Sequence, residues 1–146
     1  MKMNVKEYLR QIYDAHRKIE RLTAKREAIR AELYSVRSPA GAMTPDRVQT
    51  SLTGDRMERL VAKVDRIERD IVDELEELFT LQKKITKQIE AIQPEKQRDV
   101  LFRRYCLFHK WEQIASDMQV SVRYVHMLHG NALQTFARKY SRTVKK

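Results

Sequence analysis

From Met57 to Ile92 apolar residues recur at steps of three and four, without a glycine or proline between them. The series runs Met57, Leu60, Val64, Ile67, Ile71, Leu75, Leu78, Leu81, Ile85, Ile89, Ile92. That spacing puts one apolar stripe along a helix and is incompatible with the alternation of a strand. It is mostly heptad spacing, with stutters at Ile71–Leu75 and near Leu78–Leu81. A second series, Val5, Leu9, Ile12, His16, Ile19, Leu22, Ile29, Leu33, Val36, predicts a helix over about residues 3–36, with one slip near Ile19–Leu22. Breakers are scarce, with three glycines and three prolines in 146 residues, and Lys, Arg, Glu, Leu and Ile are abundant. These residues favour helix, so the expected fold class is all-α.

Between the two series lies "SPAGAMTPDRVQTSLTGD", which holds two prolines and two glycines. It reads as a connector over about 37–55. Two long helices joined by one connector fold back most simply as an antiparallel hairpin over residues 1–93. Each apolar stripe is narrow and two helices alone would cover it poorly, so further helices are expected, from a second subunit or from the C-terminal domain, with a homodimer through the hairpin favoured. His16, on the stripe, reads as an interface histidine.

Charge is unevenly placed. Residues 1–54 carry 11 basic and 6 acidic side chains, residues 55–93 carry 8 and 10, and residues 94–146 carry 11 and 4. A basic terminal third of +7 in a chain of net +10 suggests a polyanionic partner. The single Cys106 cannot form an internal disulfide and suits a reducing, cytoplasmic setting. No apolar run predicts a signal segment or a membrane span.

Pro94 is suited to the first position of a new helix, which Val100, Leu101 and Tyr105 carry to about Leu107. Trp111, Ile114, Ala115 and Met118 define a second helix of about two turns. After a break at Gln119–Val120, Ser121 supplies an N-cap. Val122, Val125, Leu128, Ala132, Leu133 and Phe136 then define a third helix to about Tyr140. A short helix, a tight turn and a longer capped helix form the order of a helix-turn-helix over residues 94–146, with Ala115 small at the crossing and Trp111 in the core.

The apolar set of the third helix leaves Val122, Arg123, His126, Met127 and Gly130 partly or wholly outward. Val122, Arg123, His126 and Met127 are therefore the candidates for base contacts. Arg123 can fork onto a guanine edge, His126 can donate to a base or phosphate, and Met127 can touch a thymine methyl. Candidates for backbone contacts are Arg103, Arg104, Lys110, Ser121, Tyr124, Arg138, Lys139, Arg142, Lys145 and Lys146.

The C-terminal third resembles the promoter-reading C-terminal region of sigma factors. Their pattern W-x-x-I-A … S-x-x-x-V-x-x-x-H-x-x-A-L is met by Trp111, Ile114, Ala115, Ser121, Val125, His129, Ala132 and Leu133. With "DRVQTS", "DRMERLVAKVDRIERDI", Arg104–Tyr105 and "VKEYLRQIYDAHRKI", nearly the whole chain resembles small phage and prophage sigma-like regulators of late-gene transcription, the ArpU/RinA type. The resemblance implies promoter binding and assistance to the host RNA polymerase. It also implies that the start of the third helix faces the major groove and that Arg104 approaches a phosphate. Two positions depart from the pattern: Phe108 stands where relatives have glycine, and Lys110 where they have Thr or Ser.

Other readings use the same residues. Cys106-x-x-His109 and His126-x-x-His129 offer zinc-ligand types, although both histidines of the second pair sit on the reading helix, a closed tetrahedral site would distort this fold, and Cys106 reads better as a small buried hydrophobe. "DELEELF" (Asp73–Phe79) reads as a solvated helix face. No phosphate loop or nucleophile–base arrangement appears, so neither catalysis nor a cofactor is expected. A phage DNA-packaging recognition subunit and a helical adaptor that binds no DNA are the alternative functions.

Overall fold

The computed structural model describes residues 4–37 and 47–144. Its elements are all helical: α1 (Val5–Arg37), α2 (Arg47–Glu90), α3 (Glu95–Leu101), α4 (Trp111–Met118), α5 (Val122–Lys139) and the single turn α6 (Ser141–Val144). No strand occurs among the described residues, and none of their helices is long and apolar enough to cross a membrane.

α1 starts one residue after a reciprocal cap. Asn4 Oδ1 accepts from the Glu7 amide at 2.8 Å, and the Asn4 amide donates back to Glu7 Oε2 at 3.3 Å. Two orphan first-turn donors are thereby satisfied. α1 spans 33 residues and α2 spans 44, or about 50 and 66 Å at the α-helical rise.

The expected connector over 37–55 is shortened from both ends. Arg37 is helical, and α2 begins at Arg47, so Gly54 lies inside it; residues 38–46 lie outside the described residues. A lone glycine costs a helix only about 1 kcal/mol, which the long helix that follows outweighs.

Contacts divide the chain into two units, Arg17–Glu76 and a second composed of Met1–His16 with Glu77–Lys146. The expected boundary near Gln93–Pro94 is therefore not where the contacts part: one end of each long helix belongs with the C-terminal helices. Both crossing points lie close to the slips in the apolar repeats, Ile19–Leu22 in α1 and Ile71–Leu78 in α2.

In the Arg17–Glu76 unit, Leu60, Val64, Ile67 and Ile71 of α2 are buried. Lys18 pairs with Glu74, Arg30 with Glu68 and Arg56 with Glu32, so residue numbers rise along α1 as they fall along α2. Surface pairs of this kind contribute at most about 1 kcal/mol each, which leaves the apolar stripe as the main source of cohesion. Further along α1, Ile19, Leu22, Ile29, Leu33 and Val36 are only half-buried, and Tyr34 is exposed.

In the other unit, Leu9, Ile12, Ile85, Ile89, Ile92, Leu101, Ile114, Val125 and Phe136 are wholly or almost wholly buried. α5 packs on both α3 and α4. Polar ties join the C-terminal end of α2 to α5 and its end: Lys139 Nζ donates to the Ala91 carbonyl at 2.8 Å, and the Tyr140 hydroxyl donates to the Gln88 carbonyl at 3.1 Å. From α1, the Tyr8 hydroxyl donates to Gln88 Oε1 at 2.7 Å.

Pro94 is the cap of α3 rather than its first helical residue, its carbonyl accepting from the Gln97 and Arg98 amides. The helix expected to reach Leu107 changes pitch instead. Over Phe102–Cys106 it widens into a π-helical turn, closed by the Leu107 amide on the Phe102 carbonyl at 3.1 Å. Widened turns of this kind often mark functional sites.

Candidate nucleic-acid interface

α4 and α5 meet through a small apolar cluster of Ile114, Ala115 and Val125, against which Trp111, Met118 and Val120 pack. Ala115 occupies the place that the sequence reading gave it. The turn between the helices closes as a Schellman motif: the Gln119 amide donates to the Ser116 carbonyl at 3.2 Å, and the Val120 amide to the Ala115 carbonyl at 3.0 Å. Gln119 carries φ +57° and ψ +44°, the left-handed conformation in which glycine is preferred. Gln119→Gly removes the Cβ clash, worth about 1–2 kcal/mol, but adds backbone freedom to the unfolded chain, worth roughly 0.4–1 kcal/mol. A net gain of about 0.5–1 kcal/mol is expected, read as a higher urea midpoint at unchanged m; a lower midpoint would show that the turn is not built this way.

α5 is capped as expected. Ser121 Oγ accepts from the Tyr124 amide at 3.1 Å, and no acidic residue occupies the first turn. Helices ordinarily place Asp or Glu there to offset the dipole, so the positive end of α5 is left uncompensated for an external anion. Lys110, the cap of α4, makes no side-chain capping bond.

Val122, Arg123, His126 and Met127 are all exposed, Met127 to 53%. At 100° per residue they lie on one side of α5, with Gly130 between them, opposite buried Val125, Leu128, Ala132 and Phe136. Gln134, also exposed, continues the stripe one turn on from Gly130. The sequence reading missed it, although the i+4 step from Gly130 and the capacity of Gln to pair with an adenine edge were both visible.

The backbone-contact candidates divide by their surroundings. Lys110, Arg138 and Arg142 are exposed, with no ion pair among the described residues, and Tyr124 is half-buried. Arg103 pairs with Asp117 at 3.2 Å. Arg104 donates to the His109 carbonyl at 3.0 Å and stacks on the Trp111 ring, 4.2 Å from its centroid. Lys139 holds the end of α2. These three side chains therefore brace the fold, a use that sequence alone did not separate from a role on the outer surface. Lys145 and Lys146 lie outside the described residues.

Trp111 is the hub beneath this surface. The rings of His126 and His129 both lie 4.7 Å from it, centroid to centroid. His129 is buried and shares a 2.7 Å hydrogen bond, through Nε2, with the Tyr105 hydroxyl. Burial, with Lys6, Arg104 and His126 adding positive charge nearby, lowers the His129 pKa from 6.5 to about 4. Burial likewise pushes Tyr105 up to about 12. Both are neutral near pH 7. Phe108 carries φ +60°; its ring packs edge-on against Tyr13 and His16.

The zinc-ligand types do not converge. Cys106 Sγ lies 3.7 Å from Thr86 Oγ1, and His126 and His129 are taken up by Trp111 and Tyr105. No group of three or more His, Cys, Asp or Glu side chains placed to hold a metal occurs among the described residues. Burial raises the Cys106 thiol pKa, in keeping with an inert side chain.

No protein-family profile matches the chain, and neither the curated proteins nor the solved structures contain a match to it.

Proposed function

We propose that this chain is a sequence-specific DNA-binding regulator of phage or prophage transcription, working at a promoter with the host RNA polymerase. In this reading α4 and α5 form a helix-turn-helix, and α5 enters the major groove. The observation that carries it is the outward stripe of Arg123, His126 and Met127 on a helix whose start is capped, unopposed by acid and set firmly on its own core. The promoter and polymerase roles rest on the sigma-like residues Trp111, Ile114, Ala115, Ser121, Val125 and His129. α1 and α2 form an antiparallel helical hairpin, and the half-buried apolar side chains from Ile19 to Val36 favour a homodimer through it.

Anisotropy titrations of promoter and random duplexes across a salt series test this. Arg123→Ala is expected to cost about 1–3 kcal/mol on the preferred duplex and much less on random DNA, because a bidentate base contact discriminates while phosphate contacts do not. Equal losses on both would remove Arg123 from base recognition. Absence of salt-dependent affinity for any duplex would favour the helical-adaptor reading instead.

A further inference from the structure

Beside the π-helical turn, where α1 approaches it, lies a cleft of about 290 Å³ whose lining includes no residue of α5. Four cations line it: Lys6 and Arg10, one helical turn apart on α1, with Arg104 and Lys110. Its remaining walls are aromatic, formed by Tyr13, Tyr105 and Phe108. No acidic residue is among the lining side chains. Asp14 contacts Arg10 from outside the lining, at a long 3.6 Å and with both side chains solvent-exposed.

The cations of this cleft also act on the two buried groups beneath it. Lys6 and Arg104 both act to lower the His129 pKa, and Arg104 and Arg10 oppose the rise of Tyr105. Arg104 is held in place by the His109 carbonyl and the Trp111 ring, so one guanidinium is positioned before any ligand arrives. Exposed Lys6, Arg10 and Lys110 surround the opening. Concentrated cations select an anion, and a fork-shaped guanidinium suits phosphate. The aromatic walls add a preference for a planar ring, the combination used by sites that hold single nucleotides by stacking and charge. At the lower end of ligand-pocket size, roughly 300 Å³, the space suits one nucleotide unit.

We propose that this cleft binds a nucleotide, with its phosphate among Lys6, Arg10, Arg104 and Lys110 and its base against Tyr13 and Phe108. The nucleotide is either free in solution or part of a nucleic-acid strand. The assignment does not depend on the role of α5.

Calorimetric titration of the full chain tests it with AMP, ATP, adenosine, inorganic phosphate, a hexaglutamate peptide and a short single-stranded oligonucleotide. The wild type is compared with a Lys6→Ala/Arg10→Ala double variant, in which both changed residues are exposed. Saturable binding of AMP or ATP, weakened about tenfold or more in the double variant, identifies a free nucleotide as occupant. The same loss confined to the oligonucleotide identifies a strand. In either case adenosine and phosphate alone bind much more weakly. Arg123→Ala leaves this binding unchanged, while duplex affinity, measured separately, reports on α5. Three results would overturn the proposal: no binding of either nucleotide form, equal binding by the double variant, or hexaglutamate binding as tightly as the nucleotide.

Discussion

Phe136→Ala is expected to remove about 3–5 kcal/mol of stability, the usual cost of deleting a buried phenyl ring. Phe136 is fully buried where α5 meets α1. Its ring lies 6.0 Å from that of Tyr8 on α1 and 4.7 Å from that of Tyr140 beyond α5. Alanine would leave a void bounded by helices that are themselves held by hydrogen bonds to Gln88 and Ala91, so collapse around it is restricted. Total stabilities of only about 5–15 kcal/mol make such a loss large. Met127→Ala, on the exposed stripe of the same helix, is expected to cost less than about 0.5 kcal/mol. Urea unfolding followed by circular dichroism compares them; a loss below about 1 kcal/mol for Phe136→Ala would mean that α1 and α5 do not meet as described.

The second large effect is in acid. His129 folds neutral, with its pKa lowered from 6.5 to about 4, so the unfolded chain binds a proton more readily than the native one. Stability from this group is therefore complete above about pH 6.5, falls as the pH drops from there to about 4, and loses nothing further below that. At about 1.4 kcal/mol per pH unit, the loss approaches roughly 3 kcal/mol. His129→Gln keeps a hydrogen-bonding side chain beside Tyr105 but cannot titrate. Across urea melts between pH 6.5 and 4, the variant should lose about 3 kcal/mol less than the wild type. Parallel losses would show that His129 is not the group that charges on unfolding.

Local features proved readable because one residue type at one spacing admits one physical reading. Ser121 ahead of Val122, Val125 and Leu128 predicts the capped start of α5, and the outward positions of Arg123, His126 and Met127 follow from the same periodicity. Both long helices were visible in their apolar stripes. Features that depend on distant partners were not. Lys6, Arg10 and Tyr13 look like an ordinary solvated helix face until α1 is set beside the π-helical turn. Arg104 reads as a free cation until the His109 carbonyl and Trp111 are placed around it. The left-handed backbone of Phe108 and Gln119 is hidden because neither is a glycine. The division into units was also illegible, since it depends on which core the ends of α1 and α2 join.

Trp111 is the chain's sole tryptophan, and its ring touches side chains belonging to both the outward stripe of α5 and the cationic cleft. Exposed His126 of α5 packs against it at a tilt, and Arg104 of the cationic cleft lies over its face. Its indole emission therefore serves as a built-in optical reporter. A duplex seated against His126 and a nucleotide drawing on Arg104 would each alter the ring's surroundings, so occupancy at either place is visible in one unlabelled cuvette.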